Sequence, residues 1–169
     1  VREGTFYSVG GSWILSNESF LADSDVVDFL KVKASYGEVG NDRGIGSFPY
    51  ITLFNTGWNQ LDTTGVLAGG LNDPYLSWEK TATSNFGTEF GLFGGKLDGS
   101  IEYYSRESVD LIYDKPVPLS TGNSSVRTNV GALKNYGLEV VLSSQIVNTD
   151  DLTINAAVNF STENNEITE

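Results

Sequence analysis

The stretch from 78 to 113 alternates apolar and polar side chains almost without interruption, and only the pair Gly94-Gly95 breaks the pattern. Before the break the even positions carry the apolar side chains, such as Phe86, and after it the odd positions do, such as Ile101, Leu111 and Tyr113. A period of two places alternate residues on opposite faces of a β-strand. Paired glycines supply the positive φ angles of a tight hairpin turn. The pattern therefore predicts a β-hairpin with an apolar and a polar face.

The arms of this hairpin are long, at about 15 residues each. Strands of globular proteins usually run about 3 to 10 residues. A tilted strand that crosses a bilayer needs about 9 to 11 residues in the hydrocarbon and more to pass the headgroups. The length therefore favours strands that span a membrane.

Four further segments repeat the alternation, and only "DSDVVDFL" (23–30) could hold a single helical turn. The segments are 5–15, 29–40, 135–146 and 152–164. With the hairpin they predict an all-β chain, an antiparallel up-and-down meander of about six long strands.

The connections between the predicted strands alternate in length. Short ones lie at about 16–28, 94–95 and 147–151, and long ones at about 41–77 and 114–125. Short turns at one end and long loops at the other are typical of outer-membrane barrels. We find no linker, low-complexity tract or charge block that would mark a domain boundary.

The two faces of such strands have different predicted surroundings. The apolar side chains predicted to face lipid include Phe86, Phe90, Ile101, Leu138, Val140 and Val158. On the opposite face, Glu89, Glu102 and Glu139 are predicted to line the lumen. Paired carboxylates can act as acid and base in glycosidases. Their regular alternation with apolar residues instead favours side chains that line a water-filled lumen. We therefore predict no catalytic residue.

The composition excludes several classes of function. Ten Lys and Arg against 22 Asp and Glu give a net charge of −12, which disfavours nucleic acid as a partner. The chain has neither Cys nor His, so it lacks the usual ligands of zinc and the commonest general base. "GNDRG" (40–44) and "NDP" (72–74) could supply oxygen ligands to calcium, but both are ordinary turn sequences. We expect no enzyme, no cofactor and no metal.

The long connection 41–77 is the candidate ligand-binding segment. It combines aromatic rings with side-chain amides, which could stack on and hydrogen-bond a sugar ring or a peptide. The predicted substrate-binding residues are Tyr50, Trp58, Asn59 and Gln60. The same aromatics could instead form a small core of the loop or pack against a partner.

The pattern alone leaves an alternative open. No apolar run approaches the roughly 18 residues of a transmembrane helix, but the strands of membrane barrels are apolar only at every second position. In a soluble β-sandwich the apolar face would pack against a second sheet. A soluble sandwich that binds glycans is therefore the alternative prediction.

Five stretches, in order along the chain, resemble the SusC/RagA-type TonB-dependent outer-membrane transporters. They are "GTFYSVGGSWILSNESFL" (4–21), "LKVKASYGEVGND" (30–42), "LNDPYLSWEKTATSNFGTEFGLFGGKLDGSIEYYSRESVDLIYD" (71–114), "TNVGALKNYGLEVVLSSQIV" (128–147) and "AAVNFSTENNEIT" (156–168). The five stretches follow one another in the order of the family, and this ordered set is highly specific.

The resemblance implies a fold, a location and partners. The chain would be part of a barrel of about 22 strands with a plugged lumen, in the bacterial outer membrane. Residues 1–169 would form a partial barrel domain, without the plug, the TonB-contacting segment or the closing C-terminal strand. The whole protein would import oligosaccharides or peptides. Its partners would be the remaining strands and plug of the parent chain, a SusD-like surface lipoprotein, the TonB complex and outer-membrane lipid.

Overall fold

The computed structural model describes residues 3–43, 45–46 and 51–168. In chain order its strands are β1 Ser8–Ile14, β2 Val27–Asn41, β3 Phe54–Thr56, β4 Val66–Ala68, β5 Leu71–Asn72, β6 Glu79–Leu92, β7 Leu97–Val109, β8 Ile112–Pro116, β9 Ser125–Asn129, β10 Leu133–Asn148 and β11 Thr153–Ile167. Six of them form one antiparallel sheet in the order β1-β2-β6-β7-β10-β11. The predicted meander of six long strands is confirmed.

The register of this sheet keeps the two kinds of side chain apart. Residues directly opposite one another on antiparallel strands share a face. Tyr103 lies opposite both Phe86 and Leu138, and Val140 lies opposite both Ile101 and Phe160. All six residues predicted to face lipid therefore share one face, which we call the apolar face. The three glutamates predicted to line the lumen share the other, which we call the polar face.

The large sheet is a single layer. Among the described residues only two apolar side chains are buried, Leu76 and Ala132, each 4% exposed. Phe86 and Val158 of the apolar face are more than half exposed. A β-sandwich buries such a face against a second sheet about 10 Å away. Here no described segment covers it, so burial has to come from lipid or from another part of the protein.

A separate observation concerns helices. The described part of the chain contains no helix that is long and apolar enough to cross a membrane. Its helical residues are confined to two 3₁₀ turns, Leu15–Asn17 and Leu119–Thr121.

The turn between β6 and β7 is longer than predicted. The positive φ angles of Gly94 and Gly95 are confirmed, at 69° and 77°, but Phe93 shares them at 59° and the connection takes four residues, 93–96. The Asp28 carboxylate accepts hydrogen bonds from the Gly94 and Gly95 amides, at 2.7 and 3.1 Å. The Asp28 side chain therefore satisfies two backbone N–H groups of the turn that form no hydrogen bond within the strands.

The second arm of the predicted hairpin is shorter than its alternation suggests. β7 ends at Val109 because Asp110, with φ 57°, turns the chain away. The prediction that Leu111 and Tyr113 continue the apolar face is wrong. Leu111 follows the strand, and Tyr113 belongs to β8, which pairs with β9 outside the large sheet.

The connections of the large sheet fall at two opposite ends. The short ones (15–26, 93–96 and 149–152) lie at one end, which we call the turn end, and the long ones (42–78 and 110–132) lie at the loop end. The long connections hold strands of their own. β3 pairs with β4, and β5, β9 and β8 form a three-stranded sheet that joins the two long connections.

Candidate functional site

An ion network runs across three strands of the polar face. The Lys33 ammonium lies 2.7 Å from a Glu102 oxygen and 3.3 Å from Glu89, and Lys31 lies 3.4 Å from Glu89. Lys33 and Glu102 are two strands apart, so the lysine has to cross β6. It does so at Gly87, whose missing Cβ would lie 3.0 Å from Lys33 Cε. A larger residue at 87 would obstruct this path.

The network leaves one side of the polar face acidic. Glu102 on β7 stands directly opposite Glu139 on β10, and like charges in that position repel. Lys33 neutralises Glu102. Within the described residues Glu139 has no basic group within 4 Å, so no ion pair there neutralises its charge.

Three of the four predicted substrate-binding residues form one exposed tip. Trp58, Asn59 and Gln60 lie at the apex of the β3–β4 hairpin, where Gln60 and Thr63 exchange backbone hydrogen bonds of 3.0 and 3.1 Å. The Trp58 side chain is 63% exposed. The fourth predicted residue, Tyr50, lies outside the described residues. The structure thus groups 58–60 as a protruding ring with amides beside it.

Polar side chains fasten the two long connections to each other. Asn129 on β9 accepts from the Ser77 amide at 2.7 Å and donates to the Ser77 and Asp110 carbonyls at 3.0 and 2.7 Å. Asp73 accepts from the Thr128 hydroxyl and from the Tyr75 amide. The contacts of Asn129 with Ser77 and of Asp73 with Thr128 could not be predicted from the local pattern, because they join residues more than 50 positions apart.

The Glu79 carboxylate, at the loop end of β6, forms hydrogen bonds to β2 and to β8. Glu79 accepts from the Asn41 side-chain amide at 2.7 Å and from the Ile112 backbone amide at 2.9 Å. It therefore fixes the start of β8 to the ends of β2 and β6. Together with Asn129 it makes the loop end one connected structure rather than two independent loops.

A salt bridge stabilises the β8–β9 hairpin. Arg127 and Asp114 lie opposite each other, and two nitrogen atoms of the guanidinium each lie 2.8 Å from a carboxylate oxygen. The guanidinium holds the pKa of Asp114 below its usual value, and the same contact raises the pKa of Arg127. Bidentate pairs of this kind are the strong form of a charged hydrogen bond.

The oxygen-rich turns do not assemble into a metal site. Across residues 3–43, 45–46 and 51–168, no group of three or more potential metal-ligating side chains comes together. The side-chain oxygens of Asp73 contact the Tyr75 amide and Thr128, and Asn41 Oδ1 accepts from the Arg43 amide at 3.1 Å.

Comparison with known proteins assigns the family. The model of the family described as "TonB dependent receptor-like, beta-barrel" matches residues 2–168. The chain belongs to this family. TonB-dependent receptor P39 of Formosa agariphila is 34% identical over 166 residues, covering 98% of this chain and 16% of the relative. TonB-dependent receptor SusC of Bacteroides thetaiotaomicron is 33% identical over 177 residues, covering 99% and 17%.

Solved structures agree with the family assignment of this TonB-dependent receptor segment. The RagAB peptide importer in the "open-open" state superposes with a TM-score of 0.82 at 34% identity, covering 97% of this chain and 18% of that one. Its "closed-closed" state gives a TM-score of 0.78. The resemblance to SusC/RagA-type proteins is confirmed, and the chain spans about a sixth of the length of the curated relatives it matches.

The family gives the single-layer sheet its context. The sheet is a segment of the wall of an outer-membrane β-barrel, and barrels of about 22 strands are the ones with a plugged lumen. The findings do not favour the alternative of a soluble sandwich. The outward face of such barrels is apolar, and lipid contact by Phe86, Val140 and their neighbours stays a prediction.

Proposed function

We propose that this chain forms part of the wall and part of the extracellular mouth of a TonB-dependent importer of oligosaccharides or peptides. The main support is that both long connections lie at one end of a membrane-type sheet and are bonded to each other. In outer-membrane barrels the long loops face outward and the short turns face the periplasm. The loop end is therefore where substrate arrives.

The rest of the importer belongs to the parent chain and its partners. We propose that residues 1–169 are a partial barrel domain, and that the remaining strands, the plug and the TonB-contacting segment lie elsewhere in the parent. A SusD-like lipoprotein would cap the loop end, since similar proteins include one named SusC and the RagAB importer. The relatives are named receptors and an importer, and the proposed role is transport without catalysis.

The β3–β4 tip is the proposed point of substrate contact. Its exposed indole at Trp58 offers a flat apolar surface, and the amides of Asn59 and Gln60 offer donors and acceptors beside it. Binding sites of this type pair an aromatic surface with a few polar groups that fix the orientation of the ligand. Tyr50 is proposed as a further contact.

The tip can be removed without disturbing the barrel. Thr56 and Val66 are paired residues of adjacent strands, so an Asn-Gly turn can replace residues 57–65 and close the hairpin. In the full-length parent we expect this deletion to reduce substrate uptake or lipoprotein binding, with the yield of assembled barrel unchanged, because loops tolerate changes in length.

A single substitution separates the aromatic ring from the loop as a whole. Trp58→Ala is compared with Leu61→Ala, a side chain of the same tip that is 97% exposed. Uptake by cells should fall for Trp58→Ala and stay at the parent level for Leu61→Ala. Unchanged uptake and lipoprotein binding in both the deletion and Trp58→Ala would show that the tip is only a solvated cover.

A further inference from the structure

The polar face carries an open depression of about 380 Å³ near the loop end. The residues that line it include Glu102, Tyr104, Arg106, Asn135, Glu139 and Glu163. Asn135 is the third residue of β10, and a strand rises about 3.4 Å per residue. The depression therefore begins within about 10 Å of the loop end, inside the wall and below the mouth.

The floor of the depression is an aromatic ring that lies along the wall. Tyr104 on β7 stands opposite Gly137 on β10. Its hydroxyl lies 2.8 Å from the position that a Cβ of Gly137 would occupy. Neighbouring strands are about 4.8 Å apart, so a ring that reaches over the next strand has to lie down rather than stand up. The hydroxyl end of the ring therefore lies over Gly137, and Tyr104 is one of the residues that line the depression.

Three of the charged side chains that line the depression form no ion pair in the described part of the chain. Within the described residues, Arg106, Glu139 and Glu163 have no oppositely charged group within 4 Å. Asn135 accepts from Asn165 at 2.6 Å and keeps its own amide donors. A flat apolar surface is thus surrounded by carboxylate acceptors, amide groups and a guanidinium donor.

We propose that this depression binds one ring of an oligosaccharide on its way through the barrel, an inference that rests on the proposed function. The apolar face of a pyranose stacks on Tyr104, while its hydroxyls donate to Glu139 and Glu163 and accept from Arg106. The site would hold the chain after it has passed the extracellular tip.

A peptide fits this wall less well. Peptides are bound along free strand edges or through pockets for apolar side chains. At the depression β7 and β10 are hydrogen-bonded on both sides, so neither offers an edge. Apart from Tyr104 all the lining residues are polar or charged, so the depression has no pocket for an apolar side chain.

The test compares two adjacent tyrosines of β7 in the full-length parent. Tyr104→Ala removes the ring from the polar face, and Tyr103→Ala removes the same ring from the apolar face. Calorimetry on the purified protein in detergent uses maltohexaose, cellohexaose and mannohexaose as glycan probes and a mixed-sequence hexapeptide as the peptide probe. For a glycan that the parent binds, Tyr104→Ala should weaken binding and raise the Kd about tenfold, as expected for loss of an aromatic stacking partner.

Two milder variants guard against a folding defect. Tyr104→Phe keeps the ring and should change the Kd less than about twofold. Glu139→Gln keeps the shape and loses the charge, and should weaken binding about threefold or more. Tyr103→Ala should leave the Kd at the parent value.

Distinct results overturn the inference and the proposed function. If the parent binds a glycan and Tyr104→Ala and Glu139→Gln bind it equally well, the wall site is wrong and the importer stands. If only the hexapeptide binds and loses affinity in Tyr104→Ala, the glycan assignment is wrong. If cells with and without the parent take up all four probes equally, the importer proposal fails for these substrates and the wall site fails with it.

Discussion

Two glycines of the polar face provide room for long side chains of the neighbouring strand. Gly87 lets Lys33 cross β6 to reach Glu102, and Gly137 lies beneath Tyr104. Neither glycine has a positive φ angle, so neither is required by the conformation of its own backbone. At 137 the Thr162 carbonyl leaves no room for a Cβ, and at 87 a Cβ would press against the Lys33 side chain and the Ile101 carbonyl.

Gly137→Ala should therefore destabilise the barrel, whereas Gly11→Ala should not. A Cβ at 137 would lie 2.0 Å from the Thr162 carbonyl oxygen, while at Gly11 no described atom lies within 4 Å. We expect Gly137→Ala to cost about 1 to 3 kcal/mol, as overpacking usually does. The measurement is the urea midpoint of the refolded full-length parent. Equal midpoints for the two variants would contradict the close packing of β10 against β11.

At the scale of elements, the loop end depends on contacts between segments far apart in the chain. β8 and β9 are five residues long each, and two short strands are marginal by themselves in water. The Arg127–Asp114 pair, the Asn129 contacts and the bonds from Glu79 hold them in place. The salt bridge makes this end sensitive to pH, because Arg127 lowers the pKa of Asp114.

The β8–β9 hairpin should consequently loosen in acid. The pKa of Asp114 in the folded state lies below its ordinary value of about 3.9, so the stabilisation is complete above that value and is lost as the pH falls through the folded pKa. Amide exchange in β9, corrected for intrinsic rates, should be faster in Asp114→Asn than in the parent at pH 7. The difference should vanish progressively from about pH 5 downwards. A difference that stays constant over this range would show that the charge of Asp114 is irrelevant.

The sequence was informative where one local rule governs many residues. A period of two predicted six strands and the division of faces, because every second side chain of a strand must share a face. The same rule misplaced Tyr113, since nothing in the alternation announced that Asp110 would adopt a positive φ and end β7. The short strands and the Asn129 contacts were missed because they arise from contacts across the fold. The tip 58–60 could be proposed from its composition, but the ring of Tyr104 needed the register that places it over Gly137.

At the scale of the whole molecule, a single sheet with both faces exposed buries too little apolar surface to be stable by itself. Two buried apolar side chains among the described residues cannot balance the conformational entropy that folding costs, about 1 to 2 kcal/mol per residue for the backbone. Lipid against the apolar face and the rest of the barrel along β1 and β11 would supply what is missing. The central claim is therefore that Leu138 and Val140 meet hydrocarbon while Glu139 between them meets water.

Spin labelling of β10 tests that claim most directly. The chain contains no cysteine, so single cysteines from 138 to 143 in a cysteine-free parent can each carry one nitroxide in lipid bilayers. Power saturation should show high oxygen accessibility at 138, 140 and 142, and high accessibility to a water-soluble nickel chelate at 139, 141 and 143. Uniform access of the nickel chelate along the strand, or an alternation of the opposite phase, would contradict a barrel wall with its apolar face in the membrane.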